Sequence, residues 1–394
     1  MKILIVASGF TGATLPLANR FSQMGHEVKC FNFVQWQLNS IESIDFDTPK
    51  RIPNGIPRLL SKSNKLYKYL DESVDFYILP IWKRKRRMEK MLVGKIFTWL
   101  NSILEKKYAK CIVEEKADFI DLLIHNERDL VVADAIKKAG VPFCISYHEV
   151  LAGLTDNRML LPVVRKSLKY ETPLVLHSHN TANDLVDALG NVILRNRINI
   201  IHFGAFESYL SYGDGRCPEG LPEKYLLYLG HVHPYKGLKY LYGAVQLIGD
   251  KLEDVKIVVA GGGNDPVIDE MKKTARFVVY NHFIDNEELV GLIRHCQAIV
   301  CPYIAASQSG LVQTAMVYDK PVIATKVGAF TEIIRDGDNG ILCEPANAKS
   351  LADTILRFIN RDKPFSMFST PDNLNWDIIA DKYIDLIKNI NKER

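Results

Sequence analysis

The chain has 394 residues, 47% of them hydrophobic and 24% charged, with a formal net charge of +4. That length and apolar content suffice for about two buried cores, and so small a charge gives no electrostatic reason to bind nucleic acid. The seven cysteines form no CxxC pair, which speaks against a disulfide or thiolate-metal scaffold and makes reduced, buried thiols the expectation.

In chain order, the first predicted element is a strand over Lys2 to Ala7, a continuous Ile/Leu/Val run typical of strands buried on both faces. It is too brief for a signal peptide or a membrane span, and no later window of about 18 apolar residues occurs, so a cytoplasmic chain is expected. Ser8 and Gly9 give a turn, ATLPLANRFSQ a helix closed by Gly25, and Glu27 opens a second strand. This is a βαβ opening. The same order recurs further on, with a strand ending near His125, a helix running to Gly140 and a strand ending at His148. Parallel strands joined in this way gather their carboxyl ends on one edge of the sheet, where ligands bind.

One stretch breaks the alternation, PIWKRKRRMEKMLVGKIFTWLNSIL from Pro80 to Leu104. Basic residues from Lys83 to Arg87 precede a helix-length segment rich in Met, Leu, Ile, Phe and Trp. Two readings stand. One is a solvated basic loop before a core helix; the other is a basic amphipathic patch on an anionic membrane surface, with Trp82, Phe97 and Trp99 near the interface.

Glycine, proline and charge crowd Gly204 to Tyr225, the composition of a domain linker. A second α/β series follows: strand YLLYLG ending at Gly230, helix KGLKYLYGAVQLI, strand VKIVVA with its glycine turn, strand RFVVYNHFI, helix NEELVGLIRHC, strand AIVCPYI, helix GLVQTAMVYD and strand KPVIAT. Two doubly wound domains with a cleft between them are the simplest architecture.

Chemistry gathers at the corner YIAASQSGLVQTAM, Tyr303 to Met316. No Asp or Glu occurs between Glu288 and Asp319, so a ligand there meets no carboxylate from this segment. Ser309 and Gly310 at a helix start expose backbone amides and the positive end of the helix dipole, which suits phosphate. Ser307, Gln308 and Ser309 offer donors and acceptors to sugar hydroxyls. The competing reading is a plain helix cap by Ser309, with Gly310 fitting the turn.

Lys236, after Gly230, adds a cation at a strand's carboxyl end, either lying against a diphosphate or simply solvated. His231 would be a weaker, pH-sensitive second contact. Gly261, Gly262 and Gly263 would let backbone approach a nucleotide, although glycine turns after strands are frequent. Phe283 and Ile284 either flank a base or join the core. In the first series, the glycine spacing of SGFTGAT is unlike the G-x-G-x-x-G fingerprint and counts against a nicotinamide enzyme. His148, beside Glu149, and His125 sit at strand ends, as substrate contacts or as histidines satisfied by backbone.

The segments YLGHVHPYKG, VVAGGG, FIDNEELVGLIRHCQAIVCPY and, most specifically, KPVIATKVGAFTEIIRDGDNGILCEP occur in that order. With NWDIIADKYIDLI late in the chain, they resemble the retaining glycosyltransferases of family GT4. The resemblance implies an α/β chain of GT-B fold, two Rossmann-like doubly wound domains facing each other across a cleft. Residues 1-205 would be an acceptor-binding domain, 206-375 a nucleotide-sugar donor-binding domain, and 376-394 a terminal helix packing back on the first. It implies His148 and Lys236 as catalytic residues. His231, Gly262, Phe283, Ile284, Ser307, Gln308, Ser309, Gly310, Leu311, Thr314 and Glu332 would bind donor, and Phe10, Thr11, Gly12, His125 and Glu149 would face acceptor or phosphate. Most members place a glutamate, seven residues and a second glutamate around the helix start. Anchoring on Gly310 puts those positions at Ser307 and Ala315, anchoring on Pro321 at Ala306 and Thr314, and neither register supplies an acid. The serine-glutamine-serine-glycine corner reads as a variant site.

The implied reaction moves a sugar, with retention, from a nucleotide-diphosphate sugar, UDP-sugar foremost, to a glycan or lipid-linked acceptor in bacterial surface polysaccharide assembly. Breaking the bond from C1 to phosphate develops positive charge on the sugar and negative charge on the leaving diphosphate. Amides, helix dipole and Lys236 would stabilise the second, and same-face attack requires no nucleophilic carboxylate. The resemblance also implies no cofactor and no metal, since protein groups hold the diphosphate. No nucleic-acid partner is expected, and the location would be cytoplasmic, peripheral on the inner membrane face if Trp82-Trp99 meets lipid. Two other readings stay open: a GT-B nucleotide-sugar epimerase, which would convert its sugar without acceptor, and a non-catalytic sugar or nucleotide binding protein, which would bind without turnover.

Overall fold

A computed structural model of the chain describes residues 1–47, 52–82, 92–148, 160–190, 192–306, 309–361 and 374–392. Glu149, Ser307, Gln308 and the basic run Lys83 to Arg87 lie outside the described residues. Contacts divide the chain into two units, one taking residues up to Gly204 together with the last helix, the other starting at Ala205.

In the first unit β1 (Lys2–Ala7), α1 (Thr11–Gln23) and β2 (Glu27–Gln35) form the βαβ opening that the sequence predicts. Two short pairs follow, β3 (Ser40–Ile41) with β4 (Ile44–Asp45), and β5 (Arg58–Leu59) with β6 (Asp75–Ile81). Then come α2 (Leu92–Glu114), β7 (Phe119–Leu123), α3 (Glu127–Ala139), β8 (Phe143–Tyr147), α4 (Leu160–Ser167), β9 (Leu174–Leu176), α5 (His179–Leu189) and β10 (Ile198–Ile200). The sheet order is β10-β9-β8-β7-β1-β2-β6-β5, parallel except for β5. From β1 the chain winds outward to β2 on one side and returns to β7 on the other, so the strand order reverses between β1 and β7. Helix-bearing crossovers cover both faces, which is why β1, β7 and β8 carry apolar residues almost without alternation.

The second unit runs β11 (Tyr225–Leu229), α6 (Leu238–Ile248), β12 (Lys256–Ala260), α7 (Val267–Lys272), β13 (Phe277–Tyr280), α8 (Asn286–His295), β14 (Ala298–Cys301), α9 (Gly310–Val317), β15 (Val322–Thr325), α10 (Phe330–Ile333), β16 (Gly340–Cys343) and α11 (Ala348–Ile359). Its sheet, β13-β12-β11-β14-β15-β16, is wholly parallel. This is the doubly wound order, whose crevice lies past the carboxyl ends of the two strands where the winding reverses, here β11 and β14.

Helix α12 (Trp376–Lys392) belongs to the first unit. Its buried residues Trp376, Ile379, Ala380, Tyr383, Ile384 and Ile387 fall at helical spacing on one face. That face lies on α1, where the Tyr383 ring meets Phe21 edge-on and Asp377 pairs with Arg20 at 2.9 Å.

All seven cysteines are free. Burial pushes the thiols of Cys30, Cys296, Cys301 and Cys343 up to about 12, so at neutral pH they are packing groups rather than nucleophiles.

One carboxyl is sealed into the first core. Asp121, in the middle of β7, accepts hydrogen bonds from Ser146 Oγ at 2.5 Å and Cys144 Sγ at 3.2 Å. It lines a cavity of about 10 Å3 with His177 and Tyr383. Desolvation raises its pKa to about 6, against the opposing pull of the Ser146 and Cys144 donors. A carboxyl whose folded pKa exceeds its unfolded value contributes stability below the unfolded pKa of 3.8, and that contribution is lost as pH rises through about 6. Asp121→Asn keeps an acceptor for Ser146 and removes the titration. Its stability relative to wild type should therefore rise by up to about 3 kcal/mol between pH 4 and pH 7, read from urea unfolding at several pH values; a difference independent of pH would refute it.

Candidate functional site

In the second unit, the loop after β11 carries Gly230 at φ +131, an exposed His231, and His233 capping a single 3-10 turn, Pro234–Lys236. Gly237, at φ +73, ends that turn and starts α6. Lys236 is thereby held over the end of β14. Its Nζ lies 3.7 Å from the centroid of the Tyr303 ring and 5.2 Å from that of Tyr235. Tyr303 is 1% exposed, its carbonyl accepts from Thr325 Oγ1 at 2.6 Å, and its hydroxyl is 3.5 Å from Ser309 Oγ. A cation and the start of α9 thus meet around one buried ring, on the two strands where the winding reverses.

Ser309 takes the N-cap position of α9 with extended backbone, yet its side chain makes no capping bond. Of the two readings the sequence leaves open, the plain side-chain cap is therefore the one the geometry disfavours. Gly310 has a packing reason, because a Cβ there would stand 2.7 Å from the Phe206 ring. Thr314 is buried and spends its hydroxyl on Gly310 O at 2.7 Å, a bond inside the helix rather than toward a ligand. Leu311 is half-buried beside it. Glu332 is half-buried in the first turn of α10.

The glycine turn after β12 serves the backbone first. A Cβ on Gly261 would lie 1.9 Å from Gly230 O and one on Gly263 2.3 Å from Val232 O, both at positive φ, so the two loops close on each other. Gly262 meets only ordinary contacts, from His282 and Phe283. Phe283 is 81% exposed and so is no core residue, whereas Ile284 is half-buried. A large aromatic ring left in solvent at a strand's carboxyl end suits stacking on a planar ligand.

The first unit presents a different set at its own reversal between β1 and β7. Phe10 holds φ +60 at the N-cap of α1. Its amide donates to Glu42 Oε1 at 2.7 Å, and Thr11 Oγ1 lies 3.3 Å from Glu42 Oε2. Thr11 is fully buried and Gly12 buried, with the Thr11 hydroxyl also 3.1 Å from Ser43 Oγ. Glu42 therefore sits on the amides of Phe10 and Gly12, in the loop expected to face acceptor or phosphate, and no motif around it announces this.

His125 is fixed by the α3 cap. Asp129 accepts from the amides of His125 and Asn126 and from Ser8 Oγ, which ties the ends of β7 and β1 together. The Phe10 ring stands edge-on to His125 at 5.5 Å and to His148 at 4.3 Å. His148 also meets Phe203 edge-on, and His177 stacks on that ring. This desolvation, with the nearby imidazoles of His177 and His125, holds His148 well below its ordinary pKa. At neutral pH it is an uncharged hydrogen-bonding group. His177, Phe203 and Glu42 were not singled out from the sequence; HSHN after a strand was the available signal for the first.

The aromatic residues around Trp82 differ in exposure. Trp82 is packed against the core between Trp36 and Phe97, its backbone clasped by the Asn101 amide. Trp82 and Phe97 are both half-buried, ring against ring at 5.4 Å. Trp99, 62% exposed, points outward with Ile96 and Ile103. Among the described residues no helix is long and apolar enough to cross a membrane.

Residues 223–361 match the family described as glycosyl transferases group 1. That segment is similar to group 1 glycosyltransferases. The glycosyltransferase-like segment includes Gly230, Lys236, Tyr303, Ser309 and Glu332. An uncharacterised glycosyltransferase of Methanocaldococcus jannaschii is 31% identical over 178 residues, 43% of this chain and 46% of that one; the chain spans about half the length of the curated relatives it matches. Two solved structures share the fold across the whole chain. A glycosyltransferase from Rickettsia africae superposes at TM-score 0.62 with 17% identity, covering 100% of this chain and 99% of its own. Anabaena HepE in complex with UDP and glucose does so at 0.60 with 16% identity, covering 100% and 99%. The fold is GT-B, with an α/β sheet in each unit that is parallel apart from β5.

Proposed function

We propose that the chain is a retaining glycosyltransferase that moves a hexose from a nucleotide-diphosphate sugar to a glycan or lipid-linked acceptor. The observation that carries this is Lys236 over Tyr303 beside the start of α9, inside the group 1 segment. An ammonium and free helix-start amides stabilise a leaving diphosphate, the group on which charge develops. The exposed Phe283 ring would stack on the base, and the UDP in the Anabaena neighbour supports a uridine donor. The reading needs no metal or cofactor, since Lys236 and the α9 amides supply the positive charge. On the acceptor side, neutral His148 would hydrogen-bond the incoming hydroxyl, while the leaving phosphate takes its proton.

Thermal unfolding with UDP, GDP and ADP and their sugars tests the donor. A ligand at a hundred times its Kd stabilises by about 2.7 kcal/mol, so one nucleotide should raise Tm by several degrees and its sugar should be consumed only when acceptor is present. Conversion without acceptor would assign an epimerase instead, and no shift with any nucleotide would overturn the reading.

A lipid-linked acceptor, as in surface polysaccharide assembly, and a place on the inner membrane face fit the outward side of α2. Ile96, Trp99 and Ile103 recur there every three or four residues, among exposed Lys95, Lys106, Lys107 and Lys110. Cosedimentation with anionic vesicles should fall several-fold in Trp99→Ala at unchanged Tm. Equal sedimentation of wild type and variant would remove the membrane from the proposal.

A further inference from the structure

The donor half-site contains a residue that the reaction chemistry does not ask for. Tyr303 is not aimed at a ligand: its ring is 1% exposed, with Phe330 5.4 Å away on one side and the Lys236 ammonium above its face. The backbone around it is fixed from both directions, by Thr325 Oγ1 donating to its carbonyl and by the Ile304 amide donating to Tyr235 O. Its hydroxyl reaches to 3.5 Å from Ser309 Oγ, at the start of α9. An ammonium at 3.7 Å from a ring centroid is in the range where the ring's negative face attracts it, and the attraction is larger where water is excluded. A lysine side chain has four flexible torsions, and a contact with its ammonium narrows the positions it samples.

We propose that Tyr303 is a positioning residue of the donor site, whose ring face holds the Lys236 ammonium at the height of the α9 amides so that both meet one diphosphate. This rests on the donor reading of Lys236. The ring acts through its charge distribution, so the effect scales with the electron density of its face. The hydroxyl contributes the tie to Ser309 and no charge.

The test uses the full chain with inorganic pyrophosphate as probe, which carries the diphosphate charge without a base, and isothermal titration as readout. Tyr303→Phe should bind within about twofold of wild type. Placing mono-, di- and trifluorinated phenylalanine at the same position keeps the ring's shape and withdraws electrons step by step. Affinity should then fall progressively, by about tenfold across the series, and the fall should vanish in the Lys236→Ala background. A flat series, while Lys236→Ala still weakens binding, would overturn the positioning role and leave the donor reading standing. If Lys236→Ala binds as wild type does, or the wild type shows no saturable binding, both fail. Tm of each variant separates these outcomes from misfolding, which fluorination of a buried ring does not cause by loss of volume.

Discussion

Lys236→Ala should lower kcat/KM by about 100- to 1000-fold, a loss of about 3–4 kcal/mol of transition-state stabilisation. The reason is where the charge goes. In the donor a diphosphate is shared between sugar and nucleoside; as the sugar leaves, a further negative charge collects on it, and a cation a few ångströms away gains more from the departing group than from the bound one. The loss should therefore appear mainly in kcat, with a smaller rise in KM. Lys236→Arg should recover only part, because the guanidinium is larger and planar and would sit differently over Tyr303. Steady-state kinetics with the donor identified by thermal shift checks both. A KM effect alone would place Lys236 in ground-state binding.

Gly237→Ala should cost on the order of 3–5 kcal/mol of stability. Two causes add. The residue holds φ +73, which an alanine adopts at a cost of about 1 kcal/mol. Its Cβ would also stand 1.8 Å from Pro302 O, a backbone atom next to the fixed Tyr303, so the β14 end must shift. Gly25→Ala is the control. It has a similar φ of +83 with nothing within 4 Å, so it should cost only about 1 kcal/mol. Urea midpoints give both values, and equal losses would refute the contribution of the close approach to Pro302. The shift should also weaken pyrophosphate binding in whatever fraction stays folded.

The strands and helices around both sites were legible because each is short, apolar and bounded by glycine, the strongest local signals a sequence carries. Gly230, Lys236 and Ser309 were legible as loop residues at strand ends for the same reason. Thr314 was not, since the hydroxyl it offers on paper is used one turn back by its own helix. Tyr303 reads as the end of an apolar run; only the turn that swings Lys236 across from another strand puts an ammonium over its ring. Glu42 was invisible in principle, being placed on the α1 amides by a hairpin between two strands of two residues each, too short for any periodicity. Trp82 and Trp99 share a segment and an apolar character, and only packing against Trp36 separates inward from outward.

The position of α12 bears on how the protein is made. Trp376 fills the space against Gly204, where a Cβ would lie 2.7 Å from its indole ring, and Tyr383 closes on Phe21. The first unit begins to emerge from the ribosome first but lacks these side chains until the whole of the second unit has been translated. The second, continuous in sequence, completes itself earlier. During that interval the apolar side of α1 stays open to water and to other nascent chains, and a chain arrested near residue 361 would carry a finished second unit beside an unfinished first one. Such a fragment would be a client for chaperones.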